Sequence, residues 1–205
     1  CRAGWAGLVG MAALSVYNLD VYKIGKKEKA AKKGAAKATT RLARLEAKYE
    51  EEGCRRTIHG VILVHQHRHP HVLLLQKGDN YFKLPGGRML PGESQTEGLT
   101  RLLNAKIGTT SEPTTEWDIG EVVSTWWRPN FDTAVYPYLP PHITKPKEEI
   151  KQVLVRLPEK CTFAIPKDKN LVAVPLFDLY DNTTRYGQII ASIPQLLSRF
   201  NTNYV

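Results

Sequence analysis

The stretch with the clearest chemical potential is a glycine turn followed directly by a predicted helix that carries acidic residues. The turn contains Pro85, Gly86 and Gly87, and Glu93 and Glu97 follow it, one helical turn apart. Because glycine has no side chain, the backbone N–H groups of such a turn can closely approach the phosphates of a nucleotide. Mg²⁺ would need several oxygen ligands in near-octahedral order, and two carboxylates are too few. These residue types therefore predict nucleotide binding without a metal site.

The spacing of the residues after the turn resembles the Nudix box, G-x5-E-x7-R-E-U-x-E-E-x-G-U, in which U is a bulky apolar residue. Gly87, Glu93, Arg101 and Gly108 fall in the frame of this box, and Leu103 occupies one of its apolar positions. The resemblance predicts a box remnant over residues 87–108.

The acidic residues of the box are missing. In Nudix hydrolysis Mg²⁺ neutralises phosphate charge and activates the attacking water. The glutamates that hold it project from one side of the helix, because residues three and four apart share a face. Leu102, Ala105 and Lys106 stand at those positions, and the Lys106 cation would repel a metal. We therefore expect no catalytic residue, metal or cofactor, and we interpret Glu93 as retained for loop geometry or capping.

A histidine-rich segment over residues 65–71 is the second candidate for a metal site. Alternate histidines on one strand would share a face. Pro70 is expected to break the strand ladder, and R-H-P is typical of a turn between Val61–Val64 and Val72–Gln76. We predict a hairpin turn here, and a metal site is the alternative.

The flanking chain contains the elements that must position the glycine turn. A nearly continuous apolar run predicts a strand over Thr57–Val64 that is buried on both faces, and Ser94 is predicted to cap the helix after the turn. Clean alternation predicts a half-buried strand over Lys151–Leu157. Strands mixed with a few helices indicate an α/β domain with a mixed β-sheet sandwiched between α-helices. The other predicted elements are a helix capped by Thr39 or Thr40 and ended by Gly53, strands over 72–76, 81–84, 118–126 and 171–174, and a helix over 189–200 interrupted near Pro194.

The net charge of +9 indicates a polyanionic partner, nucleic acid before a membrane surface. Most of the excess lies near the N-terminus, since Tyr22–Arg56 contains 12 Lys+Arg and 5 Asp+Glu. Residues 23–38 have almost no large apolar side chain, which predicts a flexible solvated segment, with contact to RNA as the alternative. We therefore divide the chain into an N-terminal extension, 1–38, that is largely flexible and basic, and a domain over 39–205.

The beginning of the chain has two further features. The apolar run Trp5–Tyr17 is too short for a membrane span. The chain begins at Cys1, whereas Met11 opens a segment typical of a natural start, which leads to the hypothesis that residues 1–10 are an upstream artefact or a fragment end.

Motifs outside the box extend the resemblance over residues 16–205. They include H-V-L-L-L-Q at 71–76, F-K-L-P-G-G at 82–87, W-W-R-P-N-F at 126–131 and P-Q-L-L-S-R-F-N at 194–201. Together they resemble the small subunit of pre-mRNA cleavage factor I, the cleavage and polyadenylation specificity factor subunit 5 family. The resemblance implies a Nudix fold without hydrolase activity that binds UGUA elements upstream of poly(A) sites. It also implies a nuclear homodimer that pairs with a larger subunit carrying an RNA-recognition motif.

The resemblance assigns roles to individual residues. Tyr81 would stack on a base, Leu84 would contact a base through its backbone, and Arg41 would hydrogen-bond a base edge. The other residues of the expected RNA site are His59, Arg128, Tyr186 and Gly187, and those expected to dock the larger subunit are Tyr136, Tyr138 and Leu196.

Two departures from the family pattern concern the recognition of bases. His59 and Lys33 stand where the family has glutamates, so acceptors for base N–H groups are replaced. The changes bear on strict UGUA specificity and not on RNA binding itself, because Lys and His keep or raise phosphate affinity. Two other functions stay open: a divergent Nudix hydrolase of dinucleotide polyphosphates, and a scaffold subunit without RNA specificity of its own.

Overall fold

The structure is a computed structural model that describes residues 13–28, 41–109 and 116–205. Its strands are β1 (Ala13–Val16), β2 (Lys23–Lys27), β3 (Arg55–Gln66), β4 (His69–Lys77), β5 (Tyr81–Lys83), β6 (Gly86–Arg88), β7 (Asp118–Arg128), β8 (Glu148–Arg156), β9 (Thr162–Pro166), β10 (Asn170–Pro175) and β11 (Asn201–Tyr204). Its α-helices are α1 (Arg41–Glu52), α2 (Gln95–Lys106), α3 (Leu176–Leu179), α4 (Thr183–Tyr186), α5 (Gln188–Ala191) and α6 (Ile193–Leu197).

A mixed sheet of seven strands forms the centre of the molecule. Its main path runs β10-β4-β3-β8-β7, with β5 paired to β4 and β6 paired to β3. The pairing of β3 with β8 is parallel, and β3 pairs antiparallel with both β4 and β6. The central position of β3 explains why its sequence is apolar on both faces.

Two apolar layers cover this sheet. Ile58, Ile62 and Val64 of β3 pack in a cluster with the buried leucines of α2, whereas Val61 and Leu63 pack with residues of α3 to α6. Even-numbered and odd-numbered side chains thus enter opposite layers, as the period of a strand requires. The predicted α/β class, a mixed sheet between helices, is confirmed.

The predicted start of α2 is also confirmed. The Ser94 hydroxyl accepts a hydrogen bond from the Glu97 backbone, and the Glu97 carboxylate accepts one from the Ser94 backbone N–H at 3.1 Å, which forms a capping box. The predicted end of α1 is present as well, because Gly53 has a φ of +73° and its N–H donates to the Tyr49 carbonyl. The predicted cap at Thr39 or Thr40 lies outside the described residues.

Part of the predicted flexible extension belongs to the folded domain. β1 pairs in parallel with β11, and β2 pairs in parallel with β9. Leu14, Val16 and Tyr22 are buried, and the Tyr22 ring lies 5.6 Å from that of Phe163. The prediction of a flexible segment is therefore wrong for β1 and β2. These strands form through hydrogen bonds to β11 and β9, which lie far along the chain and are not indicated by the local sequence. Residues 1–12 and 29–40, including Lys33, lie outside the described residues.

The central strand β8 is more buried than its sequence predicts. Gln152, Val153, Leu154 and Val155 are all buried, since β3 and β7 flank the strand and both faces of the sheet are covered. The prediction of a half-buried strand over Lys151–Leu157 is wrong in this respect.

The histidine-rich segment forms the predicted hairpin, with its turn one residue earlier. His67 and Arg68 have φ angles of +51° and +61°, and Pro70 lies within β4, paired with His65, so it does not interrupt the ladder. His65 and His71 are buried, and each ring bonds a backbone carbonyl. Over residues 13–28, 41–109 and 116–205, no three His, Cys, Asp or Glu side chains come together to hold a metal. The same ranges contain no helix that is long and apolar enough to cross a membrane.

Candidate functional site

A cleft with a volume of about 680 Å³ opens beside the glycine turn. One wall comes from the start of β3, a second from β5 and the turn after it, and a third from the segment between α4 and α5. Six of the seven predicted RNA-binding residues line this cleft: His59, Tyr81, Leu84, Arg128, Tyr186 and Gly187. The seventh, Arg41, is the first residue of α1, and its side chain lies outside what the structure describes.

The glycines of the turn hold it against β3. Gly86 and Gly87 form β6, in which Gly86 pairs with His59 and Gly87 with Ile58. Gly86 has a φ of +139°, and a Cβ built there would lie 2.2 Å from the Ile58 carbonyl oxygen. Glycine is thus required because the β3 backbone approaches closely. The glycine at position 86 is therefore required by β3, and the approach of a nucleotide to this turn stays a prediction.

The two aromatic residues of β5 have different environments. Tyr81 is 57% exposed. Phe82 packs on Tyr186, with ring centroids 4.9 Å apart, and the Arg185 guanidinium lies over both rings. Because successive strand residues point to opposite faces, the Tyr81 ring is left at the rim of the cleft. The Tyr81 ring is therefore exposed beside the cleft, and its stacking on a base stays a prediction.

Tyr186 is fixed as part of the cleft wall. Its ring is buried, and its hydroxyl donates a hydrogen bond to the Asp178 carboxylate. Burial and then this hydrogen bond raise the pKa of Tyr186 to about 12, so the phenol stays neutral and can accept as well as donate. Next to it, Gly187 has a φ of +82° and no atom within 4 Å of where its Cβ would lie, which leaves the backbone there open to a ligand.

Leu84 lines the cleft although the residue is almost completely buried. Its side chain is only 2% exposed and packs in the layer that includes α3 to α6. A contact to a base through the Leu84 backbone, which the family resemblance implies, is compatible with this arrangement.

Arg128 is held in a buried ion network at the floor of the cleft. Its Nε donates to Glu148 Oε2 at 3.0 Å, and its terminal nitrogen donates to the Asp132 carbonyl. Glu148 is 1% exposed and also accepts from the Thr57 hydroxyl at 2.8 Å. Removing either partner would leave a buried charge uncompensated. The structure thus gives Arg128 a structural partner, and its contact with RNA stays a prediction.

Glu93, the one glutamate that matches the Nudix box, and the nearby Glu97 both hold the loop before α2. Glu93 accepts hydrogen bonds from Arg101 at 2.6 and 2.7 Å and from the Leu90 N–H at 2.9 Å. The Arg101 hydrogen bonds, and then that of Leu90, lower the pKa of Glu93 to about 2. The Ser94 hydrogen bonds of the capping box lower the pKa of Glu97. The predicted role of Glu93 in loop geometry is confirmed.

The residues at the metal positions do not suit Mg²⁺. Leu102 is buried in the core layer and Ala105 is exposed, and neither offers an oxygen ligand from its side chain. Lys106, the third residue, lines the cleft, and its positive charge disfavours a metal there.

Sequence reasoning missed several basic residues of the cleft. Lys83, Arg88 and Lys106 all line it, and of these the sequence singles out only Lys106, as a residue that disfavours a metal. The signal for Lys83 was present in the alternation of β5, since residues 81 and 83 share a face. Arg88 pairs with Glu52 at the end of α1, which no local pattern indicates.

The residues predicted to dock a larger subunit lie in two places, the segment between β7 and β8 and the helix α6. Tyr136 and Tyr138 are 39% and 58% exposed, with ring centroids 5.9 Å apart, and Tyr136 exchanges backbone hydrogen bonds with Trp127 of β7. Leu196 lies on α6 and packs partly against the core. The tyrosine pair is thus a firmly anchored, exposed aromatic surface.

Comparison with known proteins identifies the family. A Nudix family model described as nucleotide hydrolase matches residues 12–200. The chain is 48% identical over 200 residues to the cleavage and polyadenylation specificity factor subunit 5 of Dictyostelium discoideum, which covers 96% of this chain and 98% of that protein.

Two plant proteins are similarly close. The chain is 51% identical over 193 residues to the pre-mRNA cleavage factor Im 25 kDa subunit 2 of Arabidopsis thaliana, covering 94% of this chain and 96% of that one. It is 44% identical over 191 residues to subunit 1 of the same plant, covering 93% and 86%. The chain therefore belongs to the Nudix-fold family of the cleavage and polyadenylation specificity factor subunit 5 and the cleavage factor Im 25 kDa subunits.

Proposed function

We propose that this protein is a non-catalytic RNA-binding subunit of the nuclear machinery that cleaves and polyadenylates pre-mRNA. It recognises single-stranded, UGUA-like elements upstream of poly(A) sites and helps to select the cleavage site. The names of the relatives, which are subunits of factors for pre-mRNA cleavage and polyadenylation, support a role in this process. The observation that carries RNA binding is the exposed Tyr81 ring at the rim of a cleft that basic side chains line.

The cleft combines the two features that single-stranded RNA needs. An aromatic face stacks on an unpaired base, and cations attract the phosphates. Tyr81 supplies the first, and Lys83 and Lys106 supply the second. The backbone of Leu84 and of Gly187 adds polar groups that can bind base edges.

The contacts of three residues in and near the box support the proposal of a non-catalytic protein. Glu93 is bound by Arg101, Glu97 is bound in the capping box, and Leu102 is buried in the core. A water-activating metal would require carboxylates that are not already engaged. Turnover of diadenosine tetraphosphate with Mg²⁺ at ordinary enzyme rates would contradict this proposal.

His59 bears on base choice. It lies at the Gly86 pairing position of β3 and lines the cleft, where the family pattern has a glutamate. An imidazole can accept or donate a hydrogen bond according to its tautomer, whereas a carboxylate only accepts. We therefore propose that the protein prefers UGUA but tolerates changes at the base that His59 faces.

The same proposal includes two protein contacts. The protein forms a homodimer and binds a larger subunit that carries an RNA-recognition motif. The exposed pair Tyr136 and Tyr138 supports the second contact, because aromatic residues are enriched at the centres of protein interfaces.

Fluorescence anisotropy with a labelled UGUA RNA and a scrambled RNA tests the proposal. We expect tighter binding to UGUA, and Tyr81→Ala should weaken it by about 5- to 150-fold, the equivalent of about 1–3 kcal/mol for one base–aromatic stack. Tyr81→Phe should retain most of the affinity because the ring is kept.

The matched control for the tyrosine is Tyr180→Ala. Tyr180 is 60% exposed and does not line the cleft, so its removal should leave RNA affinity unchanged. Equal, weak binding of the wild type to both RNAs would instead favour a scaffold subunit without RNA specificity of its own.

A further inference from the structure

A second groove adjoins the cleft on the other side of the glycine turn. It has a volume of about 390 Å³. Four lysines contribute to its wall: Lys77, Lys83, Lys106 and Lys169. Among the residues that the structure describes, Asp168 is the one acidic residue that lines it. We call it the lysine groove. The remaining lining is Leu75, Tyr81, Gly86, Ala105 and Pro166.

The pairing of β4 with β5 places these lysines on the same face as the stacking ring. Lys77 lies directly opposite Tyr81, and Lys83 lies opposite Leu75. Directly opposed residues of an antiparallel pair project to one side with Cβ atoms about 5 Å apart. Tyr81 and Lys83 also share that side, since they are two residues apart on β5. Lys77, Tyr81 and Lys83 therefore project from the same side of the β4–β5 pair.

The cleft and the lysine groove adjoin each other, because four residues line both. Tyr81, Lys83, Gly86 and Lys106 line both the cleft and the lysine groove. An extended ligand that leaves the Tyr81 ring can thus enter the groove without crossing an uncharged surface. Residues from three separate elements complete the groove: Lys77 from β4, Lys106 from α2 and Lys169 from the turn before β10.

The charges of the groove indicate a ligand with several separated negative charges. Lysine ammonium groups are compact cations on flexible stems, and they bind phosphates without reading a base. A single-stranded backbone offers one phosphate per nucleotide, which suits lysines spread along a groove better than a single compact anion does.

We propose that the lysine groove binds the backbone phosphates of nucleotides that flank the base stacked on Tyr81, so that the RNA footprint extends beyond the cleft. The inference rests on the proposed function, because it takes the ligand of the cleft to be single-stranded RNA. It adds a sequence-independent contact that strengthens binding of long RNA and leaves base choice to the cleft.

The variant that isolates the groove is the double substitution Lys77→Gln with Lys169→Gln. Both lysines line the groove and neither lines the cleft. The matched control is Lys145→Gln with Lys160→Gln, which removes the same charge from two exposed positions that line neither cavity. Any difference between the two variants therefore reports position rather than net charge.

Anisotropy titrations at several salt concentrations measure the contacts. Each lysine–phosphate contact with a single strand contributes about 0.7 to the slope of log affinity against log salt concentration. With a ten-nucleotide RNA containing UGUA, the groove variant should lower the magnitude of that slope by about 1.4 relative to the control. The wild type should consequently lose about sevenfold more affinity than the variant between 50 and 200 mM salt.

RNA length gives an independent readout. A bare UGUA tetranucleotide should bind the wild type and the groove variant equally, and the gain from extending it to ten nucleotides should be lost only in the groove variant. Lys77 lies at an exposed position of β4, so Lys77→Gln alone replaces the double variant if the latter unfolds. The single substitution should lower the magnitude of the slope by about 0.7.

The outcomes separate this inference from the proposed function. Discrimination of UGUA with identical slopes for the groove and control variants would overturn the lysine groove while leaving RNA recognition intact. Tight binding of inorganic tripolyphosphate to the groove, with no gain from longer RNA, would identify a free polyphosphate as the ligand and would also overturn it. If the wild type binds no RNA, both proposals are wrong.

Discussion

At the scale of single residues, Glu93 and Arg101 form an ion pair that braces the loop before α2. Glu93 has two partners on different segments, the Arg101 side chain on α2 and the Leu90 backbone before it. A carboxylate that accepts several charge-assisted or backbone hydrogen bonds is favoured in its ionised form. Through these contacts Glu93 joins the loop between β6 and α2 to the helix itself.

The first prediction concerns this brace. Arg101→Gln should raise the pKa of Glu93 from about 2 toward its ordinary value of 4.5, measured by NMR titration of the carboxyl carbon. Because the folded-state pKa is lowered, the brace stabilises the protein above about pH 4.5, and this stabilisation is lost as the pH falls toward 2. The variant should lose the pH dependence of stability in that window.

Arg156→Gln provides the control, since Arg156 pairs with the distant Asp118 at 3.2 Å. It should leave the Glu93 titration unchanged. A Glu93 pKa that stays near 2 in Arg101→Gln would show that Arg101 is not the cause of the lowered value.

At the scale of elements, β2 secures the C-terminal end of α2. The Lys27 ammonium donates to the carbonyls of Asn104 at 3.0 Å and Gly108 at 2.7 Å. The last carbonyls of a helix lack partners within it, and a cation there also complements the helix dipole. Burial, and then the nearby Lys106, lower the pKa of Lys27. The C-terminal end of α2 is therefore capped by a residue from the basic N-terminal part of the chain.

The second prediction follows from this cap. Lys27→Met should lower the free energy of unfolding by about 1–3 kcal/mol, since hydrogen bonds from a charged donor are lost and carbonyls lose their partner. Urea unfolding measures the change. Lys26→Met, an exposed neighbour on the same strand, is the control and should be nearly neutral. Equal destabilisation by both would indicate that the strand β2, and not the cap, matters.

The same elements show what a sequence reveals about its fold. α2 and β3 were predictable because their signals are local: a capping residue with helical spacing, and an uninterrupted apolar run. β2 was not, because Lys23–Lys27 becomes a strand only through its pairing with β9, far along the chain. The half-buried prediction for β8 failed for a similar reason, since burial of its second face depends on neighbours that alternation does not report.

The site divides in the same way. The position of Tyr81 on the exposed face of β5 follows from local alternation and from the family motif around it. The engagement of Arg128 by Glu148 and the meeting of Lys77, Lys106 and Lys169 require β3, β4, α2, β7 and β8 to be assembled first. Contacts between distant segments produce no periodic pattern in the sequence, so the sequence does not predict them.

At the scale of the whole molecule, the basic N-terminal part has both a charge and a structural role. Removing residues 1–38 to test its electrostatic contribution would also remove β1 and β2, together with the buried side chains of Leu14, Val16 and Tyr22. The charge is better tested by substitution, because a deletion changes stability and charge at once.

The third prediction concerns that deletion. A chain that begins at Lys29 should unfold at a clearly lower urea concentration than one that begins at Met11, since burying an apolar side chain of this size contributes about 1.5–3 kcal/mol. The Met11 chain keeps both strands and serves as the control. Coincident unfolding curves for the two chains would contradict the structural role of β1 and β2.

The pairing of β1 with β11 also sets an order of events during synthesis. Ala13 lies opposite Asn201, so the two strands are made about 190 residues apart. Contacts of such long separation form slowly, because a long loop must close before they contribute. Leu14 and Val16 therefore emerge from the ribosome long before their partner strand exists, and they are exposed to aggregation or to chaperones in the interval. Folding of this domain is completed only after translation has passed Tyr204.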